Sequence, residues 1–543
     1  MSAAQTHTSK YDIVIVGAGF AGLYALYRFR NEGYRVKVIE AGNGVGGTWF
    51  WNRYPGARCD VESMQYSYSF SDEVQQEWSW SERYAPQGEI LEYVNFVADK
   101  FDLKKDIQFN TRVNTAVFDE AAGLWEIGCE TGETFVAKYC LMATGCLSVP
   151  MSPKLDGIER FKGELYRTSS WPDKPVSFEG KRVGLIGTGS SGIQATPRLA
   201  AAADHLYVFQ RTPNYSIPAH NHELDDDYQH DWKSHYPERR ALAKQTRNNT
   251  LNAAGEGPGE GLSWDEREAV FEERWQFGGL GFMYGFTDMT SSKVVNDHAS
   301  DFVRRKIDQI VKDPETAAKL KPMHYPIGAK RICVDTDYYK TFNRENVTLL
   351  DVKADPIETV TEAGVKLASG EIEVDILILA TGFDAMTGAL TRINPVGRGG
   401  QTLTERWEDG PKTYLGMAID GFPNMFIVTG PGSPSVFTNM VTSVEQNVDW
   451  VADCMNRLET EGVQTIEATT EAVDDWTVKV GELAENTLLT GLGSNSWYVG
   501  ANIEGKPKVF MAYLGGAATY SDICKSVADD GYAGFRLVSP ADA

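Results

Sequence analysis

Gly17-Ala18-Gly19-Phe20-Ala21-Gly22 follows the strand-like run Asp12–Val16 (DIVIV), and Gly187-Thr188-Gly189-Ser190-Ser191-Gly192 follows Arg182–Ile186 (RVGLI). The two copies of this Gly-rich pattern stand 170 residues apart. Each opens a segment with apolar residues at helical spacing, LYALYRFRNEGY at 23–34 and IQATPRLAAAA at 193–203, and each segment leads into a second strand-like run. That is a βαβ unit twice over. Its glycines let the backbone approach a pyrophosphate, and the helix N-terminus offers N–H donors and positive dipole to it. We therefore expect an α/β chain with two Rossmann-like dinucleotide-binding domains.

The units differ at the residue that meets the adenosine ribose. Counting 23 residues from the first glycine gives Glu40 in one (RVKVIE) and Gln210, followed by Arg211, in the other (LYVFQR). A carboxylate there accepts hydrogen bonds from an unmodified ribose, whereas a neutral residue followed by Arg accommodates a 2′-phosphate. The first unit is expected to hold FAD and the second NADPH.

Small residues end two further strand-like runs, Ala143-Thr144-Gly145 and Ala380-Thr381-Gly382, where the chain must cross close to a dinucleotide. Between 218 and 330 the character changes to charged, helix-periodic segments. SWDEREAVFEERWQ opens with a capping-box pattern, Ser263 to Glu266, and DFVRRKIDQIVKD spaces Phe302, Ile307, Ile310 and Val311 along one face. The Gly-rich stretch 253–262 reads as a loop. The expected organisation is a FAD-binding domain (1–146 and 384–543), an NADP-binding domain (147–217 and 331–383) and a helical insertion in the latter (218–330).

Composition excludes more than it assigns. At 543 residues the chain exceeds the size at which one core keeps growing. Its net charge of -23 repels phosphate backbones and anionic surfaces, so neither nucleic acid nor membrane is an expected partner. The seven cysteines form no CxxC pair, and no run approaches the roughly 18 apolar residues of a spanning helix. The N-terminal MSAAQTHTSK lacks an apolar targeting core. A reduced, cytoplasmic protein is expected, a monomer or else a dimer. His220 and His222, beside Glu223 and Asp225–Asp227, read as a solvated loop and not a metal site, because no second ligand cluster accompanies them.

The stretch Gly46-Gly47-Thr48-Trp49-Phe50-Trp51-Asn52-Arg53-Tyr54-Pro55-Gly56-Ala57-Arg58-Cys59-Asp60 narrows the chemistry. It resembles the pattern (A/G)GxWxxxx(F/Y)P(G/M)xxxD of the single-component, FAD-containing Baeyer–Villiger monooxygenases, and every specified position matches. RTP at 211–213, AKR at 329–331, GPGSPS at 430–435 and SWYVGAN at 496–502 follow in the same family order. The resemblance covers essentially the whole chain and is strongest to the phenylacetone and cyclododecanone monooxygenase type.

The resemblance implies a reaction. NADPH reduces the flavin, dioxygen adds to give a flavin peroxide, and that peroxide attacks a ketone to yield an ester or lactone. It makes Arg331 the catalytic arginine, apt because a guanidinium stays protonated at any working pH. Asp60 becomes the carboxylate that orients it. Arg211, Thr212 and Lys330 become the 2′-phosphate contacts, and Trp497 the loop tryptophan that meets the nicotinamide ribose, with 491–496 as its hinge. Thr48, Trp49, Tyr66, Val113, Met440 and Gln194 are also assigned to cofactor binding.

One family signature is broken. FxGxxxHxxxW(P/D) appears as Phe161 to Pro172 with Arg167 at the histidine position. Arg keeps a donor but does not titrate near neutrality, so altered coupling or pH response is expected and not lost chemistry. Three other readings compete. A heteroatom monooxygenase shares both nucleotide folds. A disulfide reductase needs the missing cysteine pair, and a non-catalytic NADP-sensing protein has no use for Arg331 with Asp60. In the loop 430–439, Val436 and Phe437 stand at the tip, where they either line the ketone pocket or pack inward. The loop's length suggests linear, aryl-substituted or large-ring ketones over cyclohexanone.

Overall fold

The computed structural model describes residues 8–252, 254–490 and 496–539. Two sheets organise it, each built around one of the Gly-rich turns. The first contains β1 (Thr8–Val16), β2 (Val36–Ile39), β3 (Ile107–Gln108), β4 (Val113–Asp119), β5 (Leu124–Cys129) and β6 (Thr134–Met142) in the order β3-β2-β1-β6-β5-β4. β1 lies parallel to both β2 and β6. The second contains β7 (Glu164–Arg167), β8 (Arg182–Ile186) and β9 (His205–Gln210) together with two later strands.

Between them stands a short parallel ladder, β10 (Ser216–Pro218) against β11 (Cys333–Asp335), that brackets the helical segment 219–332. The chain then returns to the second sheet with β12 (Val347–Asp351). It makes the antiparallel meander β13 (Ile357–Val360), β14 (Gly364–Leu367) and β15 (Gly370–Glu373), and adds β16 (Ile376–Leu379), giving the all-parallel order β12-β9-β8-β16-β7. Finally β17 (Met425–Ile427) re-enters the first sheet beside the upper half of β6. The C-terminal third thus completes the sheet that the N-terminus began.

The glycines of both turns are required by contact. Gly17 has φ +104°, and a Cβ there would lie 2.7 Å from the Ala143 carbonyl oxygen. At Gly22 a Cβ would lie 1.8 Å from the Gly17 carbonyl, and at Gly192 it would lie 2.1 Å from that of Gly187. These positions seat the helices Phe20–Asn31 and Ser190–Ala202 directly on their strands. Gly19 and Gly189 differ: nothing lies within 4 Å of a Cβ on Gly189, so its backbone is open to the cleft.

The helical segment is less uniform than its sequence implies. The capping box Ser263–Glu266 forms, and along Lys293–Ile310 the residues Val295, Ala299, Phe302, Val303 and Ile307 are buried. Phe302, Ile307 and Val311 join the core of the second sheet, with Ile310 partly buried against it. The first helices go elsewhere. Trp232 and Tyr236 belong to the core of the first sheet, and Arg240 donates to the Gln65 carbonyl at 2.9 Å and to Ser67 Oγ at 2.6 Å. The segment is therefore shared between both units and is not a simple appendage of the second. Helical periodicity reveals which face is buried, but not what it is buried against.

All seven cysteines are free. Among the described residues no helix is long and apolar enough to cross a membrane.

Candidate active site

A cleft of about 1860 Å³ runs between the sheets and is lined from both sides. From the first unit come Gly17, Gly19, Phe20, Ala21 and Glu40; Thr48, Trp49, Asp60, Tyr66, Val113 and Met440 follow. The second contributes Gly187, Thr188, Gly189, Ser190, Ser191 and Gln194, then Arg211, Thr212, Lys330 and Arg331, and Trp497 joins the lining from the C-terminal part. Gly22 and Gly192 do not line it, since their work is helix–strand packing.

Glu40 is buried and accepts from Ala18 N and Gly42 N, both at 2.7 Å. Burial raises its pKa, and these backbone donors act in the opposite direction. Each oxygen keeps a second lone pair, as ribose recognition requires. On the other side Gln210 turns away from the cleft. Its Nε2 donates to the Lys319 carbonyl at 2.7 Å, so the residue supplies neutrality and no ligand contact. Positive charge remains. Arg211 is exposed, and Lys330 has its pKa lowered to about 8 by burial and by Arg211. Neither makes an ion pair among the described residues, and Lys330 Nζ lies over the Tyr325 ring, 5.3 Å from its centroid. Thr188 Oγ1 donates to the Thr212 carbonyl at 2.9 Å, which ties the Gly-rich turn to this basic corner.

The stretch 46–60 turns out to be the seat between the units. Gly56 has φ +88°, and a Cβ there would lie 2.3 Å from the Gln194 carbonyl in the second nucleotide helix. Tyr54 donates its hydroxyl to Gln194 Oε1 at 2.7 Å, and Gln194 Nε2 donates to the Arg58 carbonyl at 3.1 Å. The aromatic-Pro-Gly sequence thus allows one unit to rest directly on the other.

Asp60 and Arg331 meet at this seat. Arg331 Nη2 and Nε donate to Asp60 Oδ2 at 3.1 and 3.3 Å, and Nη1 donates to the Val436 carbonyl at 3.0 Å. Burial opposes the charge of Arg331, but Asp60 more than compensates, and the guanidinium is held protonated. For Asp60 burial dominates, raising its pKa, while Arg331 pulls it back down. The pair fixes a cation at the wall of the cleft, with the Asp60 side chain buried behind it, where charges interact more strongly than in water.

Trp49 Nε1 donates to Tyr66 OH at 3.2 Å. Trp497 packs edge-on to Tyr498 at 4.6 Å and joins a small cluster with Met386, Met511, Leu147 and Val436. Its approach, residues 491–495, lies outside the described residues. At the loop tip the two apolar residues part. Val436 lines the cleft, whereas Phe437 packs inward on Tyr498 and Phe510 at 4.6 and 5.9 Å. Arg167, at the end of β7, is half-buried outside the cleft, and its Nη1 has no hydrogen-bond partner. His220 Nε2 faces the Trp275 carbonyl and His222 Nδ1 the His220 carbonyl, both at 3.0 Å.

The residues that sequence reasoning missed are mostly neutral. The Val436 carbonyl has no residue signature at all. Tyr54 lay inside the decisive stretch without an assigned role, and Tyr498, buried close to Arg331, was hidden behind its neighbour Trp497.

Comparison with known proteins agrees with this geometry. The flavin-binding monooxygenase-like family model matches residues 10–232. A Baeyer–Villiger monooxygenase of Pseudooceanicola batsensis is 44% identical over 97% of this chain and 96% of its own length. The chain belongs to the Baeyer–Villiger monooxygenases. Among solved structures, an oxidized steroid monooxygenase bound to NADP superposes on this family member with a TM-score of 0.94 at 49% identity, covering 98% of this chain and all of its own. A phenazine N-monooxygenase of Lysobacter antibioticus is 41% identical over 97% of each chain. Overall similarity to the Baeyer–Villiger monooxygenases therefore leaves the reacting atom to be argued from the site.

Proposed function

We propose that the protein is an NADPH- and O2-dependent flavin monooxygenase that converts ketones to esters or lactones. Gly17–Gly22 and Glu40 would hold FAD, the carboxylate receiving its ribose. Gly187–Gly192 would hold NADPH, with Arg211, Thr212 and Lys330 for its 2′-phosphate. The backbone open at Gly189, the carboxylate at Glu40 and the unpaired cations at the opposite corner fit these two groups and not their exchange. Bound FAD would supply the redox chemistry, hydride acceptance from NADPH and activation of dioxygen to an oxygen nucleophile.

The observation that carries the reading is the Arg331–Asp60 pair at the seat between the units. Arg331 presents fixed positive charge to the cleft and stabilises the negative charge that a carbonyl oxygen acquires on attack. Asp60 orients the guanidinium and keeps it protonated. Trp497 and Val436, which share an apolar cluster with Met386 and Met511 and line the cleft, offer it an apolar wall. Arg167 replaces a titrating residue with a permanent cation and acts on the linkage of the units. The organisation we adopt is 1–146 with 384–543 for FAD, 147–217 with 331–383 for NADP, and 218–330 as the helical segment between them. The reading is completed by a cytoplasmic location, a monomer or else a dimer, and no nucleic-acid or membrane partner, the last supported by the net charge of -23.

A second reading, heteroatom oxygenation, is favoured by the similarity to a phenazine N-monooxygenase. It has less use for a fixed cation, because no carbonyl oxygen must be held as an anion. NADPH consumption by the purified yellow protein, with a ketone or with an aromatic N-heterocycle added, separates the two. Stimulation by the ketone alone is expected, and stimulation by the heterocycle alone would replace the first reading with the second.

A further inference from the structure

The loop that ends at Phe437 carries several residues of left-handed backbone. Thr429, Gly432 and Ser435 have φ of +53°, +86° and +43°, and Met386, at +66°, lies with its Sδ 3.8 Å from Ser435 Oγ, a longer alternative acceptor for that hydroxyl. Thr429 is β-branched, so this conformation is held against its own preference. Such strain persists only where the surroundings over-determine it, and it gathers at functional sites.

The surroundings are explicit. Thr429 N donates to Asn447 Oδ1 at 2.8 Å, Asn447 Nδ2 to Tyr520 OH at 3.2 Å, and Tyr520 OH to the Leu415 carbonyl at 2.7 Å. Ser435, wholly buried, donates Oγ–H to the Thr429 carbonyl at 3.2 Å and so closes the loop on itself. Its own carbonyl accepts from Thr438 Oγ1 at 2.8 Å. The next carbonyl, that of Val436, is the one that meets Arg331 Nη1.

Arg331 therefore has two anchors, Asp60 and the Val436 carbonyl, and only the second depends on this turn. We propose that Ser435 is a positioning residue: its left-handed turn, tethered through Oγ to Thr429, aims the Val436 carbonyl at Arg331 and holds the guanidinium against Asp60. The rate readout below rests on the ketone chemistry proposed above, although the tether itself does not.

Asp60 reports on the tether. Arg331 draws its raised pKa downward, so a guanidinium that leans away lets it climb further. Cys59, Cys333, Tyr54, Tyr84 and Tyr498, which also face it, are all pushed upward by burial and carry no charge near neutrality. Because Asp60 acts as its anion, the acid limb of the pH profile follows its pKa.

Ser435→Ala and Ser435→Gly test this in the FAD-loaded enzyme. We expect kcat to fall about 10- to 100-fold in both, with ketone KM within about twofold. The acid limb should move up by about half to one pH unit, with FAD content and Tm held at parental values. Glycine adopts φ +43° without strain, so Ser435→Gly is decisive even where Ser435→Ala does not fold. An unmoved limb overturns the proposal, whether the rate is retained or lost, since loss without the shift is what a merely structural residue gives. A parent that forms no ester overturns the ketone reading instead. The same limb is then read on NADPH oxidation, where the same shift is expected.

Discussion

At the seat between the units, Arg331 spends three donors on fixed acceptors and keeps its charge toward the cleft. Its replacement is therefore a chemical change more than a structural one. Arg331→Ala should retain FAD, for which we propose the site along Gly17–Gly22, yet abolish ester formation, a loss of at least about 10²- to 10³-fold in kcat. Arg331→Lys keeps the charge but not the planar fork that reaches Asp60 and Val436 together, and should recover little. Product formation near the parental rate in the alanine variant would remove Arg331 from the mechanism. Lys330 offers a titration. Its pKa is lowered to about 8 in the free protein, so it is cationic below that pH and neutral above it. A 2′-phosphate favours the cation, so NADPH binding must take up a proton above pH 8. Affinity should be flat below pH 8 and weaken about tenfold per unit above it. Isothermal binding at several pH values checks this, and Lys330→Arg should remove the dependence. Both residues were read in the sequence because charged side chains in family order are visible there. The Val436 carbonyl was not, since a backbone acceptor is defined by the turn that aims it and not by the residue that owns it.

The two nucleotide turns are twins in sequence, and the structure keeps them separable. Adding a methyl at Gly192 drives it into the Gly187 carbonyl, while the first sheet is untouched. Gly192→Ala should lose NADPH binding and keep the bound flavin, whereas Gly22→Ala should release the flavin. Each change costs about 1–3 kcal/mol locally, enough to displace a helix N-terminus from a pyrophosphate. Flavin absorbance and NADP+ titration of both variants would read the pattern, and an exchange of the two phenotypes would reverse the cofactor assignment. Arg211 should make the chain strongly prefer NADPH to NADH, with Arg211→Ala narrowing the gap, and equal efficiencies in the parent would count against the second turn's role. The loop ending at Phe437 was only half readable. Alternation of apolar residues at a tip does not reveal which one faces in, and the decision came from Tyr498 and Phe510, more than 60 residues away. With Val436 and not Phe437 lining the pocket, we predict higher specificity constants for linear, aryl-substituted or large-ring ketones than for cyclohexanone. A clear cyclohexanone optimum across a ketone panel would overturn that preference and leave the enzyme class intact.

Across the whole molecule, the sequence announces two dinucleotide units, and contact accounts for their relation. Gly56 resting on the Gln194 carbonyl, and Arg331 reaching Asp60, place the two sites at opposite walls of one cleft. The aromatic-Pro-Gly stretch pointed to this chemistry through resemblance, although its physical task as a seat emerges only when both units are seen together. The shared packing of the helical segment was not readable for a related reason, because amphipathic periodicity is silent about partners. In the proposed function, this cleft couples NADPH oxidation to insertion of one oxygen atom into a ketone. The most direct measurement follows the purified flavoprotein under ¹⁸O2 with NADPH and an aryl or long-chain ketone, quantifying NADPH consumed and ester formed by mass spectrometry. We predict about one ester for each NADPH, carrying one ¹⁸O in the ester. NADPH consumption without ester, or an ester lacking the label, would contradict the account.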